Sequence, residues 1–132
     1  MGEIISYAFI DEVYAAWVTY LRAHSTAKYF GMSADWSRIA KYPFANLQLI
    51  GMPESESDLE NNQVTIRVTF QTMFFVNTEK LSVLYSMDEA SSAFFQAHGF
   101  HRMGDSVPVR ISDSVTAVTS RFTCDNFNGE FI

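Results

Sequence analysis

The chain has 132 residues, of which 48% are hydrophobic and 18% charged, and its formal net charge is −6. This length suits a single domain, 1–132, which buries enough surface to fold without disulfides or metal. The net negative charge and the lack of a basic stripe argue against general nucleic-acid binding. A membrane span needs about 18 consecutive apolar residues, and no run of that length occurs. The single cysteine excludes an internal disulfide.

The first predicted element is a helix over residues 3–23. Two rows of apolar residues recur along it at three- and four-residue steps. Only a narrow stripe of the helix is predicted to be exposed to solvent, namely Asp11, Ala15, Thr19 and Arg22. A helix that is apolar over most of its circumference is covered on more than one side. Two interpretations stay open: a central core helix, or a helix packed on its own sheet and on a neighbouring subunit.

The next segments predict a loop followed by a hairpin. Residues 24–43 carry mostly loop signals. Residues 44–52 alternate well enough for a strand, and an acidic loop over 53–62 leads into a longer strand over 64–76.

The strand over 64–76 has the clearest periodicity in the chain. Val64, Ile66, Val68 and Phe70 alternate with polar residues and are predicted to face the core. Beyond Thr72 both faces are apolar. This end of the strand is therefore predicted to project from its own sheet and to meet another subunit.

A second helix is predicted from a cap at residues 77–79 to about His98, with Gly99 as its stop. Residues 107–112 and 115–124 predict a last hairpin. The element order is then α-β-β-α-β-β, which indicates an α+β fold. We expect an about four-stranded, mostly antiparallel sheet with two main helices packed on one face.

The sequence offers no pattern typical of an enzyme. His98, His101 and Asp105 are spaced like zinc ligands, but Gly99 breaks the helix between the histidines. Cys124 lies in a predicted strand, which suits a small buried side chain better than a reactive thiolate. A nucleophile elbow and a phosphate-binding loop are both missing. The sequence therefore predicts a non-enzyme without metal or cofactor.

Charged residues form two groups. The predicted acidic loop carries Glu54, Glu56, Asp58 and Glu60 but lacks the glycine turn of a calcium loop. A solvated loop is the simplest interpretation, and loose divalent-ion binding, a charged contact or a channel-facing loop are the alternatives. The arginines on or beside strands include Arg67, Arg102 and Arg121. They are too dispersed for a nucleic-acid stripe and are expected to pair with carboxylates, within the domain or across a subunit contact.

Five short motifs follow one another through the second part of the chain. They are FANLQLI at 44–50, LEN at 59–61, VTFQ at 68–71, GFHR at 99–102 and SRFT at 120–123. In this order, and behind an amphipathic opening helix, they resemble the tail terminator (tail completion) proteins of long-tailed bacteriophages, which are also described as minor capsid proteins. The connection over 103–114 departs from the family pattern because it is rich in Asp and Ser and has a single proline.

The resemblance implies a structural virion protein without catalytic residues or cofactors. Such a subunit forms a ring, usually a hexamer, at the head-proximal end of the tail, after assembly in the host cytoplasm. Its implied partners are further copies of itself, the tail tube protein and the head–tail connector protein. DNA passes through without specific binding, and no membrane is involved.

The large apolar fraction and this resemblance together predict subunit contacts, because monomers rarely expose extended apolar patches. The candidate contact residues are Phe9, Tyr14, Trp17, Met73, Phe74 and Phe75. The acidic loop is expected to face the lumen of the ring. Two other functions stay open: a neighbouring head–tail connector or stopper protein, and a small enzyme or ligand-binding module, which would need a deep pocket with converging polar groups.

Overall fold

The computed structural model describes residues 9–32, 41–51, 54–57, 64–78, 80–104 and 106–127, with backbone alone at 9, 51, 54–57, 64–66 and 125–127. Its elements are α1 (Phe9–His24), β1 (Tyr29–Gly31), β2 (Phe44–Gly51), β3 (Glu54–Ser57), β4 (Val64–Val76), α2 (Leu81–Ala97), β5 (His101–Arg102), β6 (Val109–Arg110) and β7 (Thr116–Phe127). The strands form one open, mostly antiparallel sheet in the order β1-β2-β4-β7-β5. The predicted α+β class is confirmed, with more strand segments than the four expected.

The sheet is organised around β4. This strand pairs antiparallel with β2 on one side and with β7 on the other. Val68 and Phe70 are fully buried, as their alternation predicted, whereas the side chains of Val64 and Ile66 lie outside the described residues. The predicted pairing of strands 44–52 and 64–76 is therefore confirmed, whereas the pairing of β4 with β7 was not predicted.

Both helices pack on the same face of the sheet. The Trp17 ring of α1 lies 6.2 Å from Phe74, and the Phe95 ring of α2 lies 5.7 Å from Phe70. Phe70 and Phe74 are four residues apart on β4, so their side chains point to one face. Trp17 also donates its indole N–H to Ser91 Oγ at 3.0 Å, which joins the two helices through a buried hydrogen bond.

A second, smaller cluster covers one end of the opposite face. It contains Phe75, Val115 and Ala117, and Tyr42, Phe44, Met73 and Ile111 pack against it. Phe75 lies opposite Phe44 on one side and Ala117 on the other. The second apolar face of β4 is therefore occupied within the chain itself.

This cluster corrects one prediction. The end of β4 does not project from its sheet, because Met73 to Val76 pair with β7 and Met73 to Phe75 also pair with β2. Phe74 and Phe75 are buried, and Met73 is half-buried. The sequence pattern correctly indicated two apolar faces at this end of β4. It could not indicate that residues from 41–44 and 111–117 cover the second face.

The structure differs from the prediction at three local points, and the first two follow from strand pairing that the sequence pattern does not encode. Glu54 and Glu56 belong to strand β3, which pairs with β4, so the acidic segment begins as a strand and not as a loop. β1 lies in the region predicted as loop. Helix α2 is capped at Lys80 without a side-chain hydrogen bond, whereas 77–79 were expected to supply the cap.

The other predicted elements are found where the sequence placed them, or they extend outside the described residues. The last hairpin is confirmed, with Val109 opposite Ala117, and β7 continues to Phe127. The polar stripe predicted on the first helix is exposed throughout, and residues 3–8 of that predicted helix lie outside the described residues. Gly99 follows α2 with a φ of 86°, a conformation that glycine adopts without strain.

Replacing Phe75 tests whether this side chain is core or contact. Phe75→Ala removes a buried ring, so we expect the free energy of unfolding to fall by about 3–5 kcal/mol, measured by urea denaturation. Leu81→Ala, at an exposed site on α2, is the matched control and should change the free energy of unfolding by less than about 0.5 kcal/mol. A loss of under about 1 kcal/mol for Phe75→Ala would contradict the core assignment.

Candidate assembly surfaces

The β1 strand forms one end of the sheet. Its inner side pairs in parallel with β2, and within the described ranges no strand pairs with its outer side. Tyr29 and Met32 are 39% and 38% exposed. Lys41 places its Nζ 5.6 Å from the centre of the Tyr29 ring, a cation–π contact. We call Tyr29–Gly31 with Met32 the β1 edge.

The opposite end of the sheet is an interrupted strand. β5 and β6 both pair with β7, at Thr123/Phe122 and at Ala117/Thr116 respectively. Around these two short segments lie the most exposed large apolar side chains of the described chain, namely Met103 at 50%, Val107 at 71% and Val109 at 57%. We call residues 101–104 and 106–110 the β5–β6 edge.

Within the part of the chain that the structure describes, exposed large apolar side chains are therefore concentrated at the two ends of the sheet. Eight large apolar side chains are exposed among the described residues, and five of them belong to the two edges. Of the others, Leu81 and Tyr85 lie on α2 and Ile50 lies near the end of β2. Single exposed apolar residues are ordinary, but groups of them mark contact surfaces.

A buried polar network fixes the β5–β6 edge to the rest of the domain. Asp88 of α2 accepts a hydrogen bond from Ser120 Oγ at 2.6 Å and one from Arg102 Nη2 at 2.9 Å. Arg102 Nη2 also donates to Ser120 Oγ at 3.1 Å. The Asp88 side chain is only 7% exposed, so its charge needs these partners.

The same network continues into the connection after β5. Ser120 has one hydroxyl proton, and that proton is used toward Asp88, so Ser106 must donate to Ser120 Oγ across their 2.8 Å contact. The Met103 amide donates to the Arg121 carbonyl at 2.9 Å. The residues around Met103 and Ser106 are thus held at two points, which fixes where the exposed apolar side chains lie.

This network is not suited to nucleophilic chemistry. Ser120 is 2% exposed, so a substrate cannot reach its oxygen without opening the domain. Its proton acceptor is a carboxylate that an arginine already pairs with, and no histidine takes part in the described contacts. The arrangement connects α2, β5 and β7, which is a structural task.

A shallow apolar groove of about 440 Å³ runs between the outer sides of the two helices. It is lined by Ala15, Ala16, Thr19, Tyr20, Phe94, Ala97 and His98. Thr19 donates to the Ala15 carbonyl at 2.9 Å, and His98 Nδ1 lies 2.8 Å from the Phe94 carbonyl. Thr19 and His98 thus each turn a polar atom toward their own helix, whereas a ligand site needs converging polar groups.

The contact residues predicted on the first helix lie in different environments. Trp17 is fully buried among the core aromatics, so it does not reach a partner in this conformation. Tyr14 is half-buried. The pKa of its phenol is raised, because the effect of burial outweighs the opposing effect of the Arg22 charge. Phe9 begins α1, and its side chain lies outside the described residues.

The predicted ion-pair arginines also differ from one another. Arg102 forms the predicted ion pair, with Asp88. Arg121 donates from Nε to Gln71 Oε1 at 3.0 Å, so its described partner is an amide on the neighbouring strand and not a carboxylate. Arg67 is exposed on β4.

The remaining charged candidates are only partly described. Glu54 and Glu56 lie in β3, whereas Asp58 and Glu60 fall outside the described residues, as does Asp105. His101 is exposed in β5. Within the part of the chain that the structure describes, no group of three His, Cys, Asp or Glu side chains could hold a metal ion.

No helix among the described residues is long and apolar enough to cross a membrane.

Sequence reasoning missed the partners of Arg102, although a signal was present. Asp88 lies on the apolar stripe of α2, between Leu84 and Ser91, where a charged residue is expected only with a partner. The two edges gave no such signal, because strands of two or three residues do not produce a readable alternation.

Comparison with models of protein families and with curated proteins finds no match for this sequence. The resemblance to tail terminator proteins therefore stays a prediction from short motifs.

A double-mutant cycle tests the network around Asp88. Asp88→Asn removes the negative charge and Arg102→Met removes the positive one, so each single change leaves a buried polar group short of a partner. We expect each to lower the free energy of unfolding by about 1–3 kcal/mol. The double mutant should lose less than the sum, with a coupling energy of about 1 kcal/mol or more.

Glu89→Gln provides the control for this cycle, because Glu89 is the exposed neighbour of Asp88 on α2. It should change the free energy of unfolding by less than about 0.5 kcal/mol. Strict additivity of the two single losses would show that Asp88 and Arg102 do not stabilise the domain as a pair.

Proposed function

We propose that this chain is a structural virion protein of a long-tailed phage. It forms a ring, expected to be a hexamer, at the head-proximal end of the tail tube. The ring stops polymerisation of the tube and presents a surface for the head–tail connector. The protein is not an enzyme and uses no cofactor. Its partners are copies of itself, the tail tube protein and the connector protein.

The observation that carries this proposal is the distribution of exposed apolar side chains. Five of the eight large ones in the described chain belong to the two opposite ends of one sheet. A ring subunit needs two different patches, because each copy contacts one neighbour with one patch and the other neighbour with the second. An enzyme or a ligand carrier would instead need one concave site with converging polar groups.

The buried interior is consistent with a task based on shape. Polar side chains inside the domain, such as Trp17, Ser91, Asp88 and Ser120, are used in hydrogen bonds that connect elements of the chain to one another. The groove between the helices offers mostly apolar walls. These hydrogen bonds hold the described elements together, which supports a structural task.

The acidic segment has a place in the same proposal. We assign Glu54, Glu56, Asp58 and Glu60 to the lumen side of the ring, where their charge keeps passing DNA from adhering. Glu54 and Glu56 lie in β3, which pairs with the first residues of β4, Val64–Ile66. These two acidic residues thus lie at the opposite end of β4 from the Phe75 cluster.

Tail length provides the test of the main proposal. Phage particles assembled without this protein should have tails longer than normal and without heads, because nothing stops the tube or joins it to the connector. Electron microscopy of the particles measures both properties. Complementation with the intact chain is the control. Tails of normal length that lack heads would contradict the terminator role and assign a joining role instead.

Charge reversal tests the lumen assignment separately. We expect the variant with Glu54, Glu56, Asp58 and Glu60 all changed to Lys to give tails of normal length that eject DNA more slowly, because positive side chains attract phosphates. The matched control reverses Glu12 and Glu89, which are exposed on the helices. Unchanged ejection and unchanged DNA retention in the four-residue variant would refute the assignment.

A further inference from the structure

The two ends of the sheet are chemically different from each other. The β1 edge is one continuous three-residue strand, and its inner pairing is parallel. The β5–β6 edge consists of two two-residue segments whose inner pairing is antiparallel. A strand at the end of a sheet presents backbone N–H and C=O groups that can pair with another strand. Each edge therefore offers both hydrogen-bonding groups and exposed apolar side chains.

The difference between the edges decides what assembly they permit. If like edges met, the contact would be symmetric and would close at two copies. If unlike edges meet, each pair of copies still has one unused edge of each kind, so further copies add until the rotation closes a ring. Only the second arrangement suits the proposed ring.

We infer that the β1 edge of one copy docks against the β5–β6 edge of the next copy, so that the sheet continues from subunit to subunit. This inference rests on the proposed function, because it names the contact that the ring uses. Strand addition supplies main-chain hydrogen bonds, while side chains at alternate positions select the partner. Tyr29 lies opposite Phe44, and Val109 lies opposite Ala117. Phe44 and Ala117 both lie opposite Phe75, so the exposed side chains of Tyr29 and Val109 share one face of the sheet and meet when it continues into the next copy.

Cross-linking between cysteines tests this contact directly. In a Cys124→Ser background, Tyr29→Cys and Val109→Cys are combined in one chain and treated with a short bismaleimide at high protein concentration. A head-to-tail contact joins the two positions on different copies, so denaturing gels should show a ladder that ends at the ring number. The Tyr29→Cys and Val109→Cys single variants should stay monomeric, because neither position meets itself.

A matched pair controls for random collisions. Leu81→Cys combined with Val109→Cys has one edge cysteine and one exposed helix cysteine, and it should give no ladder. Dimers from either single variant would indicate a symmetric contact and overturn the inference. An equal ladder from the control pair, or no ladder from the edge pair although mass spectrometry shows both cysteines modified, would overturn it as well.

A second measurement separates this contact from the proposed function. Val107→Lys with Val109→Lys should lower the light-scattering mass to that of a monomer, whereas Leu81→Lys with Tyr85→Lys on α2 should leave it unchanged. A ladder together with normal tail length in particles lacking the protein would keep the contact and refute the terminator role. Overlong tails without a ladder would keep the terminator role and refute the contact.

Discussion

The pairing of β4 on both of its sides is the constraint on which the rest of the molecule depends. Once Phe74 lies between Ala45 and Val118, alternate side chains of the strand are fixed to opposite faces. One set enters the helix-covered core with Trp17 and Phe95. The other set begins as a polar surface and ends in the Phe75 cluster. A shift of one residue would exchange the two sets and expose the aromatic core, so the register is strongly specified.

One end of the sheet, at β5, is attached to α2 by a buried polar network. The Asp88 carboxylate is buried and satisfied by Arg102 and Ser120 together. Moving β5 away from α2 and β7 would leave that charge without its ion partner, which costs several kcal/mol in a buried site. The backbone at Met103 and the Ser106 side chain are likewise held by β7. Docking at this edge therefore has less backbone order to create than docking at an unanchored loop.

The sequence predicted the long elements because each of them carries its own periodicity. Alternation over Val68 and Phe70 and the stripe through Leu84 and Ser91 depend only on neighbouring residues. The short strands β1, β3 and β5 exist through pairing with distant residues, which leaves no local pattern to read. The apolar end of β4 was misjudged for the same reason: the pattern showed that both faces are apolar, but Val115 and Ile111, which cover one of them, are distant in sequence. The two edges proposed as contact surfaces belong to this second kind of feature.

The shape of the edges bears on how copies can join. Long, flat and regular edges lead to uncontrolled aggregation, and proteins limit this with short strands, prolines and lysines. Both edges of this chain are short; Pro108 precedes β6, and Lys28 and Lys41 lie beside β1. Strands in a regular sheet also twist by about 20–25° from one to the next, so an uninterrupted continuation across copies would produce a helical ribbon. In the proposed ring, each new sheet must therefore start at a different angle from the last. The break between β5 and β6, where Gly104 has a φ of 73°, suits that change because only a few backbone hydrogen bonds would have to form at the proposed contact.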